Sequence, residues 1–349
     1  MPEQLSQRLR LLLARALPRD LRSRLLTWSH RGAHRRLASA LEAPAAAQRA
    51  SLRRIIETNR GTEFGRAHAF DQILDPVSLA ANVPLRGFAE LEPYILRQQA
   101  GESDVLVAGP LLGFAVSGGT RGCPKPIPVT PASLEQWEWS EQLLERLALQ
   151  RCPDAAGGRC LHLLPCYHAG RTSRGALPML PMQVLLQIAG DGATGARALP
   201  PALPPELFAV ADEAVRYYLV LRLAMSCRIT VLRAASPGTL TILAEHLEAM
   251  GPRLLDDLES GRSDHLEDLP EEVRRVMPAP QADPALATRL REQLDAAGRL
   301  EPRALWPSLG LLVCSTTGPS RAAADRLSDR FGDLPLLDPG YRTVEAVVT

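Results

Sequence analysis

The chain has 349 residues, of which 46% are apolar and 23% are charged, and its formal net charge is +1. This length is sufficient for one large domain or two ordinary ones with a substantial core, and the composition is typical of a globular protein. The near-neutral charge argues against a general nucleic-acid-binding protein. No apolar run reaches the ~20 residues that span a bilayer. The six cysteines form no C-x-x-C pair and no metal-binding spacing, so we expect reduced thiols in a cytoplasmic protein.

The first sixty residues are strongly basic, with 13 arginines against 4 acidic residues. Their pattern predicts helices that are interrupted near Pro18 and Pro44. We expect residues 1–60 to form a basic helical segment whose leucines pack on the main domain. Composition leaves two alternatives open: residues 1–40 could contact an anionic membrane surface or a partner, and an organellar transit peptide is arginine-rich in the same way.

Strands and helices alternate along the rest of the chain. Buried strands are predicted in four short apolar runs, residues 104–116, 127–130, 160–165 and 228–234. Residues 83–99 are predicted to form a turn followed by a short amphipathic helix, and further helices are predicted at residues 131–150, 204–225, 236–261, 283–298 and 320–331. Thr130 is the expected N-cap of the second helix, and Pro131 is its first residue. This alternation predicts a layered α/β fold.

A glycine-rich loop follows Val116 and reads SGGTRGCPK. Lys125, its last residue, is the only lysine among 40 basic residues. Such a turn exposes backbone N–H groups to phosphate oxygens, and hydroxyls and a mobile ammonium complete the site. The spacing is not that of a Walker A loop, because Cys123 stands where that pattern needs its second glycine. The candidate residues of the phosphate site are Ser117, Gly118, Gly119, Thr120, Gly122 and Lys125. The alternative interpretation is an ordinary glycine-rich turn that binds no phosphate.

The loop resembles the phosphate loop of adenylate-forming enzymes, with Arg121 where that loop usually has a small hydroxyl residue. Further blocks follow in an order that is similar to the GH3 family of acyl-acid amido synthetases: NRGTEFGRAHAF, VPLRGFAELEPYI, ITVLRAASPGTLTILAEHLE, LWPSLGLLVCSTTG and LLDPGYRTVEAVVT. The resemblance extends from about residue 55 to Thr349. It implies layered mixed sheets with packed helices, the large N-terminal domain of an adenylate-forming enzyme.

The resemblance implies a ligase that uses ATP and Mg²⁺ to join a small carboxylic acid to an amine or an amino acid. The acid attacks the α-phosphate to give an acyl-adenylate and pyrophosphate, and the amine then displaces AMP. Lys125 and Glu345 would be the catalytic residues, and Glu345 would also bind Mg²⁺. Tyr341 would face the adenine, and Thr343 belongs to the same nucleotide-binding motif.

This second motif departs from the family pattern Tyr-x-Ala-Ser-Glu-Gly, because Val344 replaces the hydroxyl residue and Ala346 replaces the glycine. The sequence also stops four residues after Glu345. We therefore expect residues 61–349 to form an incomplete adenylation domain, without the ribose-binding segment and the C-terminal lid domain. The alternative function is that of a truncated or degenerate non-catalytic relative, which binds a nucleotide, an acid or a partner protein.

Other polar residues carry weaker signals. His162 and His168 are either substrate contacts or hydrogen-bonded structural histidines. By the resemblance, Arg171 and Thr172 line the acyl pocket. The adjacent acids at residues 256–257 are expected on a solvated helix face.

Overall fold

The computed structural model describes residues 17–117, 125–168, 170–172, 177–192 and 198–347. The α-helices in these ranges are α1 (Arg19–Ser29), α2 (Arg31–Glu42), α3 (Pro44–Asn59), α4 (Glu63–Ala67), α5 (Pro76–Asn82), α6 (Phe88–Gln99), α7 (Pro131–Arg151), α8 (Met182–Gly192), α9 (Glu213–Met225), α10 (Pro237–Ser260), α11 (Glu271–Arg274), α12 (Pro284–Ala297), α13 (Pro302–Leu305), α14 (Arg321–Ala324) and α15 (Ser328–Phe331). Short 3₁₀-helices lie at Phe70–Gln72, Pro153–Gly157, Pro205–Ala209 and Gly318–Ser320.

The strands form two four-stranded sheets. They are β1 (Gly113–Val116), β2 (Pro126–Val129), β3 (Arg159–Leu163), β4 (Gly170–Arg171), β5 (Pro178–Leu180), β6 (Ile229–Ala234), β7 (Leu311–Val313) and β8 (Leu336–Leu337). The first sheet has the order β2-β1-β5-β4 and is mixed, because β1 is antiparallel to β2 and parallel to β5. The second sheet has the order β3-β6-β7-β8, and its strands are all parallel. This architecture confirms the predicted α/β class with layered, mixed sheets.

Helices cover both faces of the second sheet. On one face, Val231 and Val313 belong to a buried cluster with residues of α7. On the other face, Leu232 and Leu312 belong to the main core, together with residues of α9 and α10. Because both faces are buried, β6 reads as a nearly continuous apolar run, which is the usual signature of a parallel strand.

Helix α7 begins where the sequence predicts. The hydroxyl of Thr130 accepts a hydrogen bond from the Ser133 amide at 3.2 Å, and the Ser133 hydroxyl accepts one from the Thr130 amide at 2.9 Å. Pro131 occupies the first position, where its missing N–H leaves no helical bond unmade. This reciprocal cap fixes the point at which the chain leaves β2 and enters α7.

The N-terminal helices pack on α7. The Trp139 indole N–H donates to the Ala33 carbonyl at 3.1 Å, and the Arg146 guanidinium donates to the Thr27 carbonyl at 2.6 Å. Leu26 of α1 lies in the cluster that α7 forms on the second sheet. Among the helices of the described ranges, none combines the length and the apolar character needed to cross a membrane.

The strand predicted over residues 104–116 forms only at its end, as β1. In the preceding part, the Gln98 side-chain oxygen accepts hydrogen bonds from the amides of Leu106 and Val107, each at 3.2 Å. The Gln98 amide group donates in return to the Val107 carbonyl at 3.0 Å. A side chain thus takes the backbone bonds that a strand partner would make, so the prediction was wrong there.

Two helices predicted as continuous are interrupted. The one at 204–225 divides into a 3₁₀-helix and α9, because Asp212 caps α9 by accepting from the Val215 amide at 2.9 Å. The one at 320–331 divides into α14 and α15.

The two adjacent acids of α10 also differ from each other. Asp256 is exposed and pairs with Arg291 at 2.8 Å, as expected for a solvated face. Asp257 is only 4% exposed and accepts a hydrogen bond from the Tyr218 hydroxyl at 2.7 Å, so that half of the prediction was wrong. Burial, together with this bond, raises the pKa of Tyr218 to about 12. Asp257 therefore links helices α10 and α9 inside the core.

Candidate functional site

Ser117 and Lys125 face each other at the loop end of the β1–β2 hairpin. The Ser117 amide donates to the Lys125 carbonyl at 3.1 Å, and the Lys125 amide donates to the Ser117 hydroxyl oxygen at 3.1 Å. These bonds extend the antiparallel ladder by one pair beyond Val116 and Pro126. They fix both ends of the predicted phosphate loop, whose other candidate residues, Gly118, Gly119, Thr120 and Gly122, lie outside the described residues.

The side chain of Lys125 is exposed at this edge. Its ammonium nitrogen lies 5.3 Å from the centre of the Phe88 ring, at the first residue of α6. A cation above an aromatic face is weakly attracted to it, which restricts the ammonium without neutralising its charge. Lys125 therefore presents a full positive charge beside the loop.

A second group of polar residues lies at the carboxyl ends of β7 and β8. Asp338 follows β8, and its carboxylate accepts from the amide and the hydroxyl of Thr316, at 2.7 and 2.8 Å. The same carboxylate accepts from the Gly340 amide at 2.8 Å. Burial alone would raise the pKa of Asp338, but these hydrogen bonds outweigh it and hold the pKa below its usual value. Asp338 thus anchors the segment that leads to Tyr341.

Tyr341 begins a compact turn, residues 341–347, which we call the Tyr341 turn. The Thr343 amide donates to the Ala346 carbonyl at 2.9 Å, and the Ala346 amide donates to the Thr343 hydroxyl at 3.2 Å. Val344 packs against the main core. Tyr341 is 64% exposed, and Glu345 is exposed as well. The turn thus presents an aromatic ring and a carboxylate to solvent, and their roles as an adenine contact and a metal ligand stay predictions.

Glu141 of α7 ties the Tyr341 turn to the body of the domain. The side chain of Arg233, on β6, donates to both carboxylate oxygens of Glu141, and its Nη2 lies 2.9 Å from Oε1. Arg342, in the turn, donates to the same Oε1 and also to the Pro339 carbonyl at 2.9 Å. Glu141 is 8% exposed. One buried carboxylate therefore joins two guanidinium groups, and we call these three residues the Glu141 cluster.

The two arginines of the Glu141 cluster are not equivalent. Burial lowers the pKa of Arg233, but the attraction of Glu141 outweighs burial and leaves that pKa above its usual value. For Arg342, burial dominates, and repulsion from Arg233 adds to it against the pull of Glu141, so its pKa lies below the usual value. Both groups remain charged, because an arginine pKa starts above 12. Arg233 donates two hydrogen bonds to Glu141 and Arg342 donates one, so Arg342 is the less firmly held of the two.

The remaining candidate residues lie elsewhere. The Nδ1 atom of His162 is 3.2 Å from the Gln187 side-chain nitrogen, beside a cavity of about 30 Å³, whereas His168 is exposed. Thr172 is buried, and its hydroxyl accepts from the Leu177 amide at 3.3 Å. Their roles as substrate contacts stay predictions.

Sequence reasoning missed the anchors of the Tyr341 turn, which are Glu141, Arg233, Thr316, Asp338 and Arg342. One signal was available, because Arg233 interrupts the apolar run of β6 and a buried strand tolerates a guanidinium only with a partner. The partner itself, on a different element, could not be read from the sequence.

Helices cover both faces of the parallel sheet, and polar side chains collect at the carboxyl ends of its strands. Open α/β sheets bind their ligands at this edge. The fold is therefore that of an α/β domain with a candidate ligand site at this edge. The family described as GH3 family N-terminal domain matches residues 33–336. The chain belongs to the GH3 family, which confirms the resemblance seen in its sequence.

Two relatives from Oryza sativa subsp. japonica illustrate the similarity. The chain is 26% identical over 323 residues to a probable indole-3-acetic acid-amido synthetase, GH3.12, and this match covers 86% of the chain and 51% of the relative. It is 43% identical over 74 residues to the jasmonoyl–L-amino acid synthetase GH3.3, covering 21% of the chain and 16% of the relative. The chain spans about half the length of the curated relatives that it matches along most of its sequence.

A solved structure supports the fold. The AtGH3.15 acyl acid amido synthetase in complex with 2,4-DB superposes with a TM-score of 0.72 at 22% sequence identity. The superposition covers 86% of this chain and 53% of that one.

Proposed function

We propose that this chain is part of an ATP-dependent ligase that adenylates a small carboxylic acid and then joins it to an amine or an amino acid. Its membership of the GH3 family supports this, since named relatives are amido synthetases of indole-3-acetic acid and jasmonate. The observation that carries the proposal is that both motifs expose the groups that ATP needs: Lys125 at the hairpin, and Tyr341 with Glu345 at the carboxyl edge of the parallel sheet.

Each half would bind one part of ATP. The backbone of Gly118, Gly119 and Gly122, with the hydroxyls of Ser117 and Thr120, would hold the phosphates, and Lys125 would neutralise their charge. Tyr341 would stack on the adenine, and Thr343 would shape the turn that presents it. Because the chemistry of adenylation is mainly positioning and charge neutralisation, these groups match its needs.

The residues fit a magnesium ion that is shared with the nucleotide. No group of three or more His, Cys, Asp or Glu side chains within the described ranges could enclose a metal ion. Mg²⁺ usually binds through one or two carboxylates and completes its octahedron with waters and phosphates, so Glu345 is sufficient on the protein side. When bound, Mg²⁺ neutralises charge on the phosphates.

The proposed reaction has two steps. An oxygen of the acid attacks the α-phosphorus, a new P–O bond forms, and the bond to the pyrophosphate oxygen breaks. The amine nitrogen then attacks the acyl carbon, the bond to AMP breaks, and the amine loses a proton to solvent. Lys125 would stabilise the charge that develops on the phosphates in the first step.

The proposed setting follows from the sequence. We place the reaction in the cytoplasm, since the described cysteines are all free thiols. Residues 61–349 would belong to the adenylation domain. The basic segment 1–60 would be a helical layer on that domain, with membrane contact by residues 1–40 as its alternative role.

Exchange of labelled pyrophosphate into ATP tests the proposal. Exchange should require the cognate acid and should fall strongly in Lys125→Ala, since this change removes the ammonium at the loop. Arg275→Ala is the matched control, because Arg275 is an exposed cation that pairs with Glu271, one turn away. Exchange that proceeds without any acid, or that survives Lys125→Ala, contradicts the proposal.

A second candidate function is nucleotide or acid binding without catalysis. It is favoured by Val344, whose side chain packs against the main core where the family pattern has a hydroxyl. Saturable ATP binding combined with no exchange for any acid would support this candidate.

A further inference from the structure

Helix α7 connects the two halves of the proposed nucleotide site. It begins at Pro131, six residues after Lys125, and its N-terminus is fixed by the reciprocal cap at Thr130. Glu141 lies ten residues further along, which is about 15 Å of helix. Helix α7 thus directly follows strand β2, whose other end adjoins Lys125, and it carries the carboxylate that holds the Tyr341 turn.

The Tyr341 turn has an anchor on each side of Tyr341. Before it, Asp338 binds Thr316 and the Gly340 amide. Directly after it, Arg342 binds Glu141. Tyr341 itself is largely exposed, and these two anchors, together with Val344 packed on the core, fix the backbone on either side of it.

The charges of the Glu141 cluster make the Arg342 anchor depend on the Glu141 carboxylate. Two partly buried guanidinium groups, each with a side chain 13% exposed, share one carboxylate, so the loss of that carboxylate leaves two cations side by side with little solvent around them. Arg342 is the more weakly held partner and lies on the short turn, whereas Arg233 lies within a paired strand. Loss of Glu141 would therefore displace Arg342 first.

We propose that Glu141 is a positioning residue of the nucleotide site, which holds the Tyr341 turn in place on helix α7 through Arg342. This inference rests on the proposed function, because it assigns Tyr341 to the adenine. A purely structural role for Glu141 would not meet this requirement: loss of Glu141 must weaken binding of the adenosine part of the nucleotide and leave binding of the phosphate part unchanged.

The test separates the two ends of the nucleotide. AMP and pyrophosphate, each with Mg²⁺, are titrated by calorimetry into the wild-type chain and into Glu141→Gln and Lys125→Ala. Glu141→Gln should weaken AMP about ten-fold and leave pyrophosphate within about two-fold. Lys125→Ala should weaken pyrophosphate binding and leave AMP affinity nearly unchanged. Equal weakening of both ligands by Glu141→Gln, or unchanged AMP affinity, overturns the inference.

Arg342→Met is the second variant, in case Glu141→Gln fails to fold. It cuts the link to the turn and leaves Glu141 balanced by Arg233, so the buried charge stays paired. It should weaken AMP to a similar degree, and Arg342→Lys should restore part of the loss. AMP affinity unchanged in Arg342→Met overturns the inference on its own.

Asp257→Asn is the matched control. Asp257 is also a buried, hydrogen-bonded carboxylate, but it joins α10 to Tyr218 of α9. This variant should lose stability without changing the ratio of AMP to pyrophosphate affinity. A change in that ratio equal to the one in Glu141→Gln would assign the effect to general destabilisation and overturn the inference.

Hydrogen exchange without nucleotide distinguishes this inference from the proposed function. Amides of residues 338–347 should exchange faster in Glu141→Gln and Arg342→Met than in the wild type, and at the wild-type rate in Asp257→Asn. Unchanged exchange in both cluster variants overturns the inference while the proposed function stands. A wild-type chain that binds no AMP overturns the proposed function, and with it the nucleotide role of Glu141, whatever the exchange shows.

Discussion

The hairpin and the Tyr341 turn reach the same proposed ligand by different kinds of construction. At the hairpin, Ser117 and Lys125 are joined directly across eight residues of sequence. At the turn, Asp338 and Arg342 depend on partners 22 and 201 residues away, in Thr316 and Glu141. The bonds that join the two ends of the loop are therefore local in sequence, whereas the anchors of the turn depend on residues from distant elements. Substitutions in the two halves should separate binding from stability.

The largest effect is expected at Glu141, where stability should suffer most. Glu141→Gln removes the only charge that balances Arg233 and Arg342 within the cluster, so the free energy of unfolding should fall by about 3–5 kcal/mol. Urea denaturation measures it. Arg342→Met leaves one balanced pair and should cost clearly less. A loss below about 1 kcal/mol in Glu141→Gln would show that the turn is not held by this cluster.

Lys125 should show the opposite behaviour, with a large effect on binding and little on stability. Loss of a charge-assisted contact costs about 1.5–3 kcal/mol, so Lys125→Ala should weaken Mg-ATP about 10- to 150-fold. Because the side chain is exposed, the urea midpoint should stay close to that of the wild type. Lys125→Arg keeps the charge but changes its shape, and it should recover only part of the affinity.

The Asp338 anchor predicts a dependence of stability on pH. Its pKa in the folded chain lies below the usual value, so the anchor stabilises the fold above about pH 4. That contribution should disappear as the pH falls through the folded pKa. Asp338→Asn should therefore be less stable than the wild type near neutral pH, and the difference should shrink below about pH 4. A difference that grows on acidification would contradict this role.

The smallest effect is expected at surface ion pairs that belong to neither half. Arg275→Ala breaks an exposed i,i+4 pair with Glu271 and should change stability by less than about 0.5 kcal/mol. Nucleotide affinity should remain that of the wild type. A clear loss of affinity in this variant would show that charge at any surface position affects binding, and it would weaken the assignment of Lys125.

The difference between local and long-range contacts also explains which parts of the candidate site could be predicted from the sequence. The loop from Ser117 to Lys125 is contiguous, so its glycines and its single lysine could be recognised as a pattern. The start of α7 was predictable for the same reason, because Thr130 and Pro131 act on their own neighbours. Tyr341 and Glu345 were recognised only through family resemblance.

Contacts between residues far apart in the sequence could not be predicted from the sequence. Nothing near Glu141 in the sequence indicates that it binds an arginine 201 residues later. The failure at residues 104–112 has the same origin, because the Gln98 side chain takes backbone bonds that an apolar run would offer to a strand. Asp257 was misjudged because its partner, Tyr218, lies on another helix.

The claim that the hairpin and the Tyr341 turn form one ATP site is decided by calorimetric titration of Mg-ATP into the wild-type chain, Lys125→Ala and Tyr341→Ala. We expect saturable binding at one site in the wild type and weaker binding in both variants, with all three chains folded. A folded wild-type chain that gives no binding heat, or an affinity that neither substitution changes, would contradict the claim.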